Sequence, residues 1–343
     1  MDNIRIGVIG AGANTRSRHI PGFKTIEGVS VDAVCNRSIA SGKKAADEFD
    51  IPRVMDDWQA LIADPDIDAI CIGTWPYMHH PMVLASLAAG KHVLTEARMA
   101  MDLVQAREML VASESADVIS MIVPAPFYLE YEPTVLEMLS AGFFGELLEI
   151  HARGMGGGYF PDAPLTWRQS RELSGNNIMS MGIINETIRR YAGHEQCVVA
   201  HGKVFTTERK DERDQMQPVE VPESLGIVAE HEGGTISVYH FSTVSHMGQN
   251  GVLEFFGTKG SFKYENGQAW IAEKADREFK ALEVAPEKRG GWRVEADFIE
   301  AIRDGQPVTH TSFADGVRYM EFTEAVQMSL REGRRIDLPL LVG

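Results

Sequence analysis

The sequence predicts an α/β protein in which a doubly wound parallel sheet is followed by an α+β domain with a large, mostly antiparallel open sheet. Three observations indicate this. The first 123 residues alternate short apolar runs with helix-like segments, the later residues gather strand-like runs without intervening helices, and 343 residues exceed the usual size of one hydrophobic core. We therefore divide the chain into two predicted domains, residues 1–123 and 124–343.

Five apolar runs in the first predicted domain are typical of strands that are buried on both faces. They are IRIGVIG, VSVDAVCN, DAICIGT, HVLTE and ADVISMIV, and they show little polar alternation. Helical segments lie between them: PMVLASLAAG ends at Gly90, and Asp102 with Gln105 forms a capping-box-like start for LVQAREMLVASE. Repeated strand–helix–strand units predict a parallel sheet with right-handed crossovers.

Strand-like runs dominate the second predicted domain. They are LLEIHARG, CVVAHGKVFTT, LGIVAEHE, TISVYHFST, GVLEFFGT and GSFKYE, and GTKG reads as a hairpin turn between the last two. A predicted helix, GNNIMSMGIINETIRRYAG, precedes most of them, and two more helices follow. The charged segment 210–223 is predicted to be a solvated loop.

The composition limits the classes of partner that the protein is expected to bind. A formal charge of −16 argues against nucleic acid and anionic membranes, which both require a basic surface. No apolar run approaches the roughly 20 residues that span a bilayer, and the N-terminus lacks signal-peptide features, so we expect a cytoplasmic protein. Cys35, Cys71 and Cys197 are expected to be reduced core thiols. We predict no metal site, because the adjacent His79 and His80 would project in different directions from a helix.

A glycine-rich turn follows the first strand and precedes a helical segment. Gly10 permits a tight turn, and Gly12 lets the backbone approach a pyrophosphate at the N-terminus of a helix. We expect Ala13, Asn14 and Thr15 to belong to the same cofactor-binding turn, with Thr15 replacing the third glycine of the fingerprint and loosening the packing. This context predicts a Rossmann-type nucleotide-binding domain, and a purely structural turn is the alternative.

The end of the second strand bears on the choice of dinucleotide. NAD-preferring sites place an acidic residue there, whereas this chain has the uncharged Asn36, and Asp32 lies too early in the strand. Arg37 and Ser38, with Lys43 nearby, could bind a 2'-phosphate. We therefore predict NADP as the cofactor, with NAD as the alternative. A solvated loop position is the other interpretation of Arg37.

These motifs, together with TWPYMHH, GKHVLTE and EFFGTKGSF, resemble the glucose–fructose oxidoreductase / inositol dehydrogenase family, Gfo/Idh/MocA. The resemblance runs over nearly the whole chain. It implies a Rossmann domain, a C-terminal domain whose open sheet often forms a dimer face, and a nicotinamide cofactor between the domains. It also implies hydride transfer with sugar-like or cyclic polyol substrates, and a homodimer or homotetramer formed through the C-terminal sheet.

The resemblance also assigns further cofactor candidates. Thr74, Trp75 and His79 match the segment after the fourth strand, and Glu96 matches the end of the fifth strand. In the family a Trp-Arg pair approaches the cofactor from the second domain, which makes Trp167 and Arg168 candidates. The alternative for a tryptophan in a loop is interdomain packing.

The chain departs from the family pattern where proton transfer is expected. Most members have Glu-Lys-Pro where this chain has Glu-Ala-Arg at 96–98, and alanine has no proton to transfer. In the second family motif, Asp-x-Gly-x-x-x-His, alignment on Gly182 places Ser180 and Ile184 at the acidic and histidine positions. We therefore expect a divergent subgroup in which the usual mechanism is absent or rebuilt.

Three polar residues could serve a rebuilt mechanism. Arg98 could hold a carboxylate or stabilise an alkoxide but cannot shuttle a proton, and an interdomain salt bridge is its alternative role. Asn185 or Glu186 could replace the missing acid or base, Glu186 only if burial raises its pKa. The alternative for Glu186 is a surface ion pair with Arg189 or Arg190.

We predict an NAD(P)-dependent oxidoreductase that transfers a hydride to or from a small sugar-, polyol- or hydroxy-acid-like substrate, with Arg98, Glu186 and Asn185 as non-standard catalytic residues. Two other functions stay open. One is a catalytically silent dinucleotide-binding sensor or regulatory protein. The other is a lyase that uses transient oxidation by bound NAD without net redox change.

Overall fold

The protein is described by a computed structural model that covers residues 3–125 and 129–340. The chain forms two compact units. Unit 1 comprises Met1–Pro124 and Arg293–Val317, and unit 2 comprises Ala125–Trp292 and Arg318–Gly343. The division of the chain into domains at residues 123 and 124 stays a prediction, and unit 1 additionally takes in residues 293–317.

Unit 1 is built on a six-stranded parallel sheet with the strand order β3-β2-β1-β4-β5-β6. The strands are β1 (Ile4–Ile9), β2 (Val29–Cys35), β3 (Arg53–Met55), β4 (Ala69–Ile72), β5 (His92–Thr95) and β6 (Ser120–Ile122). The helices are α1 (Ile20–Lys24), α2 (Ile39–Phe49), α3 (Trp58–Ala63), α4 (Pro76–Ala88) and α5 (Leu103–Glu114), and a π-helical turn, Thr15–His19, leads into α1. The strand order reverses between β1 and β4, and open α/β sheets bind ligands at such a switch point.

The five strands predicted for this sheet are confirmed, but a sixth was missed. β3 contains only three residues at the edge of the sheet, and all three are half-buried. A strand this short shows no periodicity, so the sequence pattern could not reveal it. The loop after β3 nevertheless contributes to the site described below.

Unit 2 is built on a nine-stranded sheet with the order β16-β15-β14-β13-β7-β12-β11-β8-β17. Only the β7–β12 pair is parallel among the pairs of this sheet in the described residues, which confirms the mostly antiparallel prediction. The strands are β7 (Leu147–Met155), β8 (Glu195–Lys203), β11 (Ser224–His231), β12 (Ile236–Ser242), β13 (Asn250–Gly257), β14 (Gly260–Glu265), β15 (Gln268–Glu273), β16 (Lys280–Ala281) and β17 (Ile336–Asp337). A separate hairpin pairs β9 (Glu208–Lys210) with β10 (Met216–Pro218). The remaining helices are α6 (Glu132–Ser140), α7 (Arg171–Ser174), α8 (Met181–Ala192), α9 (Val294–Asp304) and α10 (Phe313–Glu332).

Two local expectations for unit 2 were wrong, and one helix was not predicted. Helix α8 begins at Met181, so Asn177 precedes the helix and does not lie on it. The segment 210–223 is not a solvated loop throughout, because β10 forms within it and Val219 and Val221 are buried. Apolar residues alternate with polar ones after the charged turn, and this alternation turns one side of the segment inward. Helix α6 was missed as well.

One face of the nine-stranded sheet carries the core of unit 2. Helix α8 packs there through Met181, Ile184 and Ile188, which belong to the same apolar cluster as strand residues of β7, β11 and β13. A Cβ at Gly182 would lie 3.1 Å from the Tyr319 ring and 3.2 Å from Thr323 Oγ1, so glycine permits this close packing. Among the described residues, no helix is both long and apolar enough to cross a membrane.

Candidate functional site

A cavity of about 480 Å³ opens at the switch point between β1 and β4. This volume is in the range of small-molecule and cofactor sites, about 300–1,000 Å³. Six of the predicted cofactor residues line it: Gly10, Gly12, Asn36, Arg37, Thr74 and Trp75. The cavity is therefore formed by the carboxyl ends of the strands and the turns that follow them.

Gly10 and Gly12 of the turn are glycines for different physical reasons. Gly10 has a φ of 89°, and a Cβ there would lie 2.8 Å from the Gly73 carbonyl carbon, so no other residue fits without moving backbone. A Cβ at Gly12 would meet only the Gly73 carbonyl oxygen, at an ordinary 3.6 Å. Packing within unit 1 therefore requires glycine at position 10 but not at position 12. At position 12, glycine would be required by the close approach of a bound ligand to the main chain.

Thr15, at the third position of the glycine fingerprint, does not loosen the packing as expected. Thr15 is buried, and its Oγ1 donates a hydrogen bond to the Gly10 carbonyl at 3.1 Å. A Cβ at Gly73 would lie 2.1 Å from Thr15 Oγ1. The glycine at position 73 thus makes the space that a third glycine would otherwise provide.

Asn36 holds the turn from the end of β2. Its Oδ1 accepts a hydrogen bond from the Ala11 amide at 2.7 Å, and Gly10 N donates to the Cys35 carbonyl at 2.9 Å. The helix after the turn starts at once, since Arg16 N donates to the Gly12 carbonyl at 3.0 Å. Asn36 therefore fixes the shape of the glycine turn through its oxygen.

Arg37 lies at the mouth of this cavity, with its guanidinium carbon 5.7 Å from the centre of the Trp75 ring. This is within the range of a cation–π interaction. Ser38 is the N-cap of α2, and its Oγ accepts from Ser41 N at 3.3 Å. Ser41, not Ser38, belongs to the cavity lining. The sequence could not distinguish the two serines without the start of α2.

Several lining residues were not predicted from the sequence. Asp56 reaches the cavity from the loop after β3, Trp58 reaches it from the start of α3, and Tyr77 and Met78 reach it from the first turn of α4. Recognising β3 would have pointed to Asp56 and Trp58, because the carboxyl ends of parallel strands meet at one edge of the sheet. Asp56 is the one acidic residue of the lining and bears on which dinucleotide fits.

The predicted residue His79 connects two strand ends. Its Nε2 lies 3.0 Å from the Thr74 carbonyl, and its Nδ1 lies 2.8 Å from the Arg98 carbonyl. Burial lowers the pKa of His79, although these two carbonyls oppose the effect. His79 is fully buried and lies outside the cavity lining. Its two ring nitrogens contact the main chain at Thr74 and Arg98 and position these two residues.

The segment after β5 contains the Glu-Ala-Arg sequence. The Glu96 carboxylate accepts from Asn14 Nδ2 at 2.5 Å and lies 3.0 Å from His19 Nε2. Although burial alone would raise it, the pKa of Glu96 lies below its ordinary value, because His19 and Asn14 bind the carboxylate. The Ala97–Arg98 peptide bond is cis, and Arg98 is 8% exposed. Glu96 therefore acts on the glycine turn, to which Asn14 belongs.

Trp167 and Arg168, the first two candidates in unit 2, contact each other. They belong to a short helical turn, Trp167–Gln169, that begins after a capping interaction between Thr166 and Gln169. The Arg168 guanidinium lies 4.3 Å from the centre of the Trp167 ring, and burial lowers the pKa of Arg168. The ring thus supports a partly desolvated cation.

The two candidates on α8 are both buried within unit 2. Asn185 Nδ2 donates to the Glu195 carboxylate and, at 3.2 Å, to the Tyr239 hydroxyl. Glu186 forms an ion pair with Arg190 at 2.5 Å. The predicted alternative partner is therefore the observed one, but the pair is buried and does not lie on the surface.

Arg190 also binds Glu132 of α6, at 2.6 Å. One guanidinium thus holds two carboxylates, from helices α6 and α8. A carboxylate bound by arginine is a poor proton donor, because the partner favours the charged form. This arrangement suits a structural cluster better than a general acid.

Cys35, Cys71 and Cys197 are buried thiols, as predicted. Burial, with a contribution from nearby Asp57 and Asp56, raises the pKa of Cys35 to about 11. Burial and nearby carboxylates also raise the pKa of Cys71 well above its ordinary value. The neutral thiol form is favoured at both positions, as expected for core residues.

Two family models match the chain. The model for the oxidoreductase family with an NAD-binding Rossmann fold, GFO_IDH_MocA, matches residues 4–123. The model for the GFO/IDH/MocA C-terminal domain matches residues 134–263. The two matches are adjacent and of one family, and together they span most of the chain.

Whole-length relatives agree with these matches. In an alignment 398 positions long, gaps included, the chain is 24% identical to levoglucosan dehydrogenase from Pseudarthrobacter phenanthrenivorans, and the alignment covers 99% of each chain. In an alignment 348 positions long it is 24% identical to myo-inositol 2-dehydrogenase from Thermotoga maritima, with 99% of this chain and 100% of that one covered.

A solved structure shows the same fold. The complex of levoglucosan dehydrogenase with NADH and levoglucosan superposes with a TM-score of 0.87 at 21% identity, covering 98% of this chain and 100% of the other. Fold, cavity and family matches thus converge on a nicotinamide dinucleotide as the cofactor. The chain belongs to the Gfo/Idh/MocA family of oxidoreductases, whose N-terminal part is an NAD-binding Rossmann fold.

Proposed function

We propose that this protein is a dehydrogenase or reductase that transfers a hydride between a nicotinamide dinucleotide and a small hydroxylated substrate of the sugar, polyol or hydroxy-acid type. One observation carries the proposal. Gly12 has room for a side chain in the folded protein, yet it faces a cavity of about 480 Å³ at the switch point of the sheet. The names of two relatives, levoglucosan dehydrogenase and myo-inositol 2-dehydrogenase, support a polyhydroxylated ring as the substrate class.

The residues of the cavity fit a dinucleotide. Bound there, the dinucleotide would supply the hydride acceptor or donor. The backbone of Gly12 would approach the pyrophosphate, with Ala13 and Asn14 following in the first helical turn. Asn36 would keep the turn in shape through its contact with Ala11, at 2.7 Å. The predicted cofactor residues Thr74, Trp75, His79, Glu96, Trp167 and Arg168 stay part of this proposal.

We propose NADP as the preferred dinucleotide. Arg37 places a cation at the cavity next to Trp75, Ser41 adds a hydroxyl, and β2 ends without an acidic residue. Asp56 opposes this preference, because its carboxylate would repel a 2'-phosphate. The balance between Arg37 and Asp56 therefore decides the discrimination between NADP and NAD.

Dissociation constants for NADPH and NADH test this preference directly. In Arg37→Gln we expect the dissociation constant for NADPH to rise about tenfold, because one charge-assisted hydrogen bond is lost. The dissociation constant for NADH should be nearly unchanged. The exposed Arg213, on the turn of the β9–β10 hairpin, gives the matched control Arg213→Gln. Tighter binding of NADH than NADPH to the wild-type protein would contradict the proposal.

We further propose that Glu-Ala-Arg marks a subgroup with rebuilt proton transfer. Arg98 directly follows Ala97 and is 8% exposed, which suits a charge that anchors or polarises a substrate. Asn185 and Glu186 stay proposed members of this machinery. In the described part of the chain Asn185 Oδ1 is buried without a hydrogen-bond partner, which leaves it one acceptor for a water or hydroxyl.

Turnover is the test of the whole proposal. The purified protein, mixed with NADP or NAD and a panel of sugars, polyols and hydroxy acids, should show substrate-dependent formation of reduced nicotinamide. Product formed without net cofactor change would indicate the lyase instead. Tight dinucleotide binding with no product across the panel would indicate the sensor.

The sensor is a second candidate, favoured by one observation. Alanine, serine and isoleucine occupy the three positions, 97, 180 and 184, at which the family pattern places proton-transferring groups. For a sensor, Ala97→Lys restores the missing amine and should raise activity from zero. For the proposed enzyme, the added lysine lies beside Arg98 and should lower the existing activity through charge repulsion.

We also propose that the protein forms a homo-oligomer through the open face of the nine-stranded sheet. Val199 on β8 lies directly opposite Val228 on β11, and both are about half exposed, at 48% and 47%. Leu148 on β7 is 49% exposed. Val228→Lys should therefore shift the molar mass in light scattering towards the monomer, and an unchanged mass would exclude this face.

A further inference from the structure

A histidine outside the predicted site lies between two carboxylates in unit 1. His19 closes the π-helical turn that follows the glycine turn, and none of its surface is exposed. Its Nδ1 lies 2.5 Å from Glu295 Oε1 of α9, and its Nε2 lies 3.0 Å from Glu96 Oε1. An ionised carboxylate can only accept, so hydrogen bonds to the ionised forms of Glu295 and Glu96 require a proton on both ring nitrogens. The ring is therefore an imidazolium.

This charge is stable in the interior because it is paired twice. Burial alone would lower the pKa of His19, but the two carboxylates raise it to about 9. Two other titratable groups lie near the cluster: the Cys71 thiol interacts electrostatically with both carboxylates, and His79 interacts with Glu96. Two carboxylates and one imidazolium leave one net negative charge in the cluster.

The position of the Glu295 side chain is fixed by its contacts with helix α1. A Cβ at Gly22 would lie 2.6 Å from Glu295 Oε2, so glycine on α1 makes the space for this carboxylate. Next to it, Phe23 and Phe298 meet edge to face with their ring centres 6.4 Å apart. These contacts fix α9 on α1 and present Glu295 to His19.

The cluster reaches the dinucleotide site through Glu96. The same oxygen of Glu96 that faces His19 also accepts from Asn14 Nδ2 at 2.5 Å. Asn14 belongs to the turn 10–15, of which Gly10, Ala11 and Gly12 line the cavity. A chain of hydrogen bonds therefore runs from α9 through His19 and Glu96 to the glycine turn.

We propose that His19 is a positioning residue of the dinucleotide site: in its imidazolium form it orients the Glu96 carboxylate, which in turn orients Asn14 and the glycine turn. This inference rests on the proposed function only for the dinucleotide as ligand, and it holds whether or not the protein turns over a substrate. Without the imidazolium, Glu96 and Glu295 repel each other, and Glu96 leaves Asn14 or takes up a proton. In either case the turn loses its support.

The first measurement is the protonation state of the ring. Nitrogen-15 NMR of the full-length protein with labelled histidine should show, at pH 8, one ring with both N–H groups protected from exchange. That signal should be missing from His19→Gln. A wild-type spectrum in which every buried ring carries a single N–H would overturn the proposal.

The second measurement is dinucleotide affinity, obtained by titration with NADPH and NADH. His19→Gln should weaken binding about tenfold or more, the worth of a charge-assisted hydrogen bond. The control His92→Gln changes a half-buried histidine that contacts Ile119 N, outside the cluster, and should bind within about twofold of wild type. Equal affinity of His19→Gln and wild type would overturn the proposal.

The pH profile separates positioning from a merely structural role. Wild-type affinity should fall as the pH rises through about 9, where His19 loses its proton. Glu295→Gln leaves the imidazolium only one carboxylate, so the fall should move to lower pH. An unmoved profile in Glu295→Gln would contradict the proposal, and this variant keeps it testable should His19→Gln fail to fold. A substrate panel without turnover would overturn the proposed function and leave these binding results intact.

Discussion

Glu195 gives a quantitative prediction about pH and stability. It starts β8 and is 7% exposed, and the Asn185 amide is its hydrogen-bond donor from α8. The nearest guanidinium nitrogen, Arg189 Nε, is 3.9 Å away, beyond hydrogen-bond distance. Burial therefore outweighs the attraction to Arg189 and raises the pKa of Glu195 from 4.5 to about 7.

The sign and size of the effect follow from this raised pKa. The folded protein binds the proton more tightly than the unfolded chain, so the contribution of Glu195 to stability is complete below pH 4.5 and is lost as the pH rises through about 7. This difference in pKa corresponds at most to about 3.4 kcal/mol of unfolding free energy, since one pKa unit is worth about 1.36 kcal/mol. Glu195→Gln mimics the protonated form and cannot ionise. We expect it to exceed wild type in free energy of unfolding by about 3 kcal/mol at pH 8 and by little at pH 5.

Urea denaturation followed by circular dichroism at pH 5, 6, 7 and 8 measures this difference. The control Glu137→Gln makes the same chemical change at an exposed position of α6 and should leave the difference near zero at every pH. A gap between Glu195→Gln and wild type that does not grow with pH would refute the reasoning. So would a Glu195→Gln variant that is less stable than wild type at pH 8.

Three further substitutions test single contacts. Gly10→Ala should abolish measurable dinucleotide binding in titrations while the chain still folds, because the new Cβ would displace backbone at 2.8 Å; binding within about twofold of wild type would contradict the assigned turn. Arg209→Gln should lower the free energy of unfolding by about 3–5 kcal/mol in urea titrations, because it leaves the buried carboxylate of Glu223, 2.9 Å away, without its charge partner. Lys91→Met should lower the free energy of unfolding by about 1–3 kcal/mol in the same assay, because it removes the Lys91 donor from the Ile67 carbonyl and leaves the Asp64 carbonyl with only the Ile67 amide as its donor. For the last two variants, an unfolding free energy within about 0.5 kcal/mol of wild type would contradict the stated role of the contact.

The parallel sheet and its glycine turn could be predicted from the sequence because their causes are local. A strand buried on both faces is a continuous apolar run, and the tight turn at Gly10 demands a glycine at that position alone. The edge strand β3 leaves no such local pattern in the sequence, because its three residues are half-buried and pair with a neighbouring strand on one side only. The segment that follows β3, with Asp56 in the loop and Trp58 at the start of α3, was missed for the same reason.

Contacts between distant residues explain the other differences. Thr15 fits without loosening the packing because Gly73 opposes it, and no spacing rule connects the two positions. His19 and Glu295 are separated by 276 residues, so neither stands out in the sequence. A histidine near a nucleotide turn is unremarkable until the two carboxylates on its ring nitrogens are known.

In helix α8, the helical periodicity of the sequence predicts which side chains are buried but not which of them can transfer a proton. Its 3.6-residue period turns Asn185 and Glu186 inward, and both are indeed buried, so burial alone would suit either an acid–base group or a structural one. The partners of the two residues differ: Arg190 forms an ion pair with Glu186, and Asn185 is bound to Glu195. Because an amide cannot ionise and an arginine-bound carboxylate is a poor proton donor, a water held by Asn185 Oδ1 and the fixed charge of Arg98 are the two proposed routes that need no proton from Glu186. Substituting Arg98 and Asn185 separately, and measuring KM and kcat for each, distinguishes these two routes, because a substrate anchor changes KM whereas a water-holding group changes kcat.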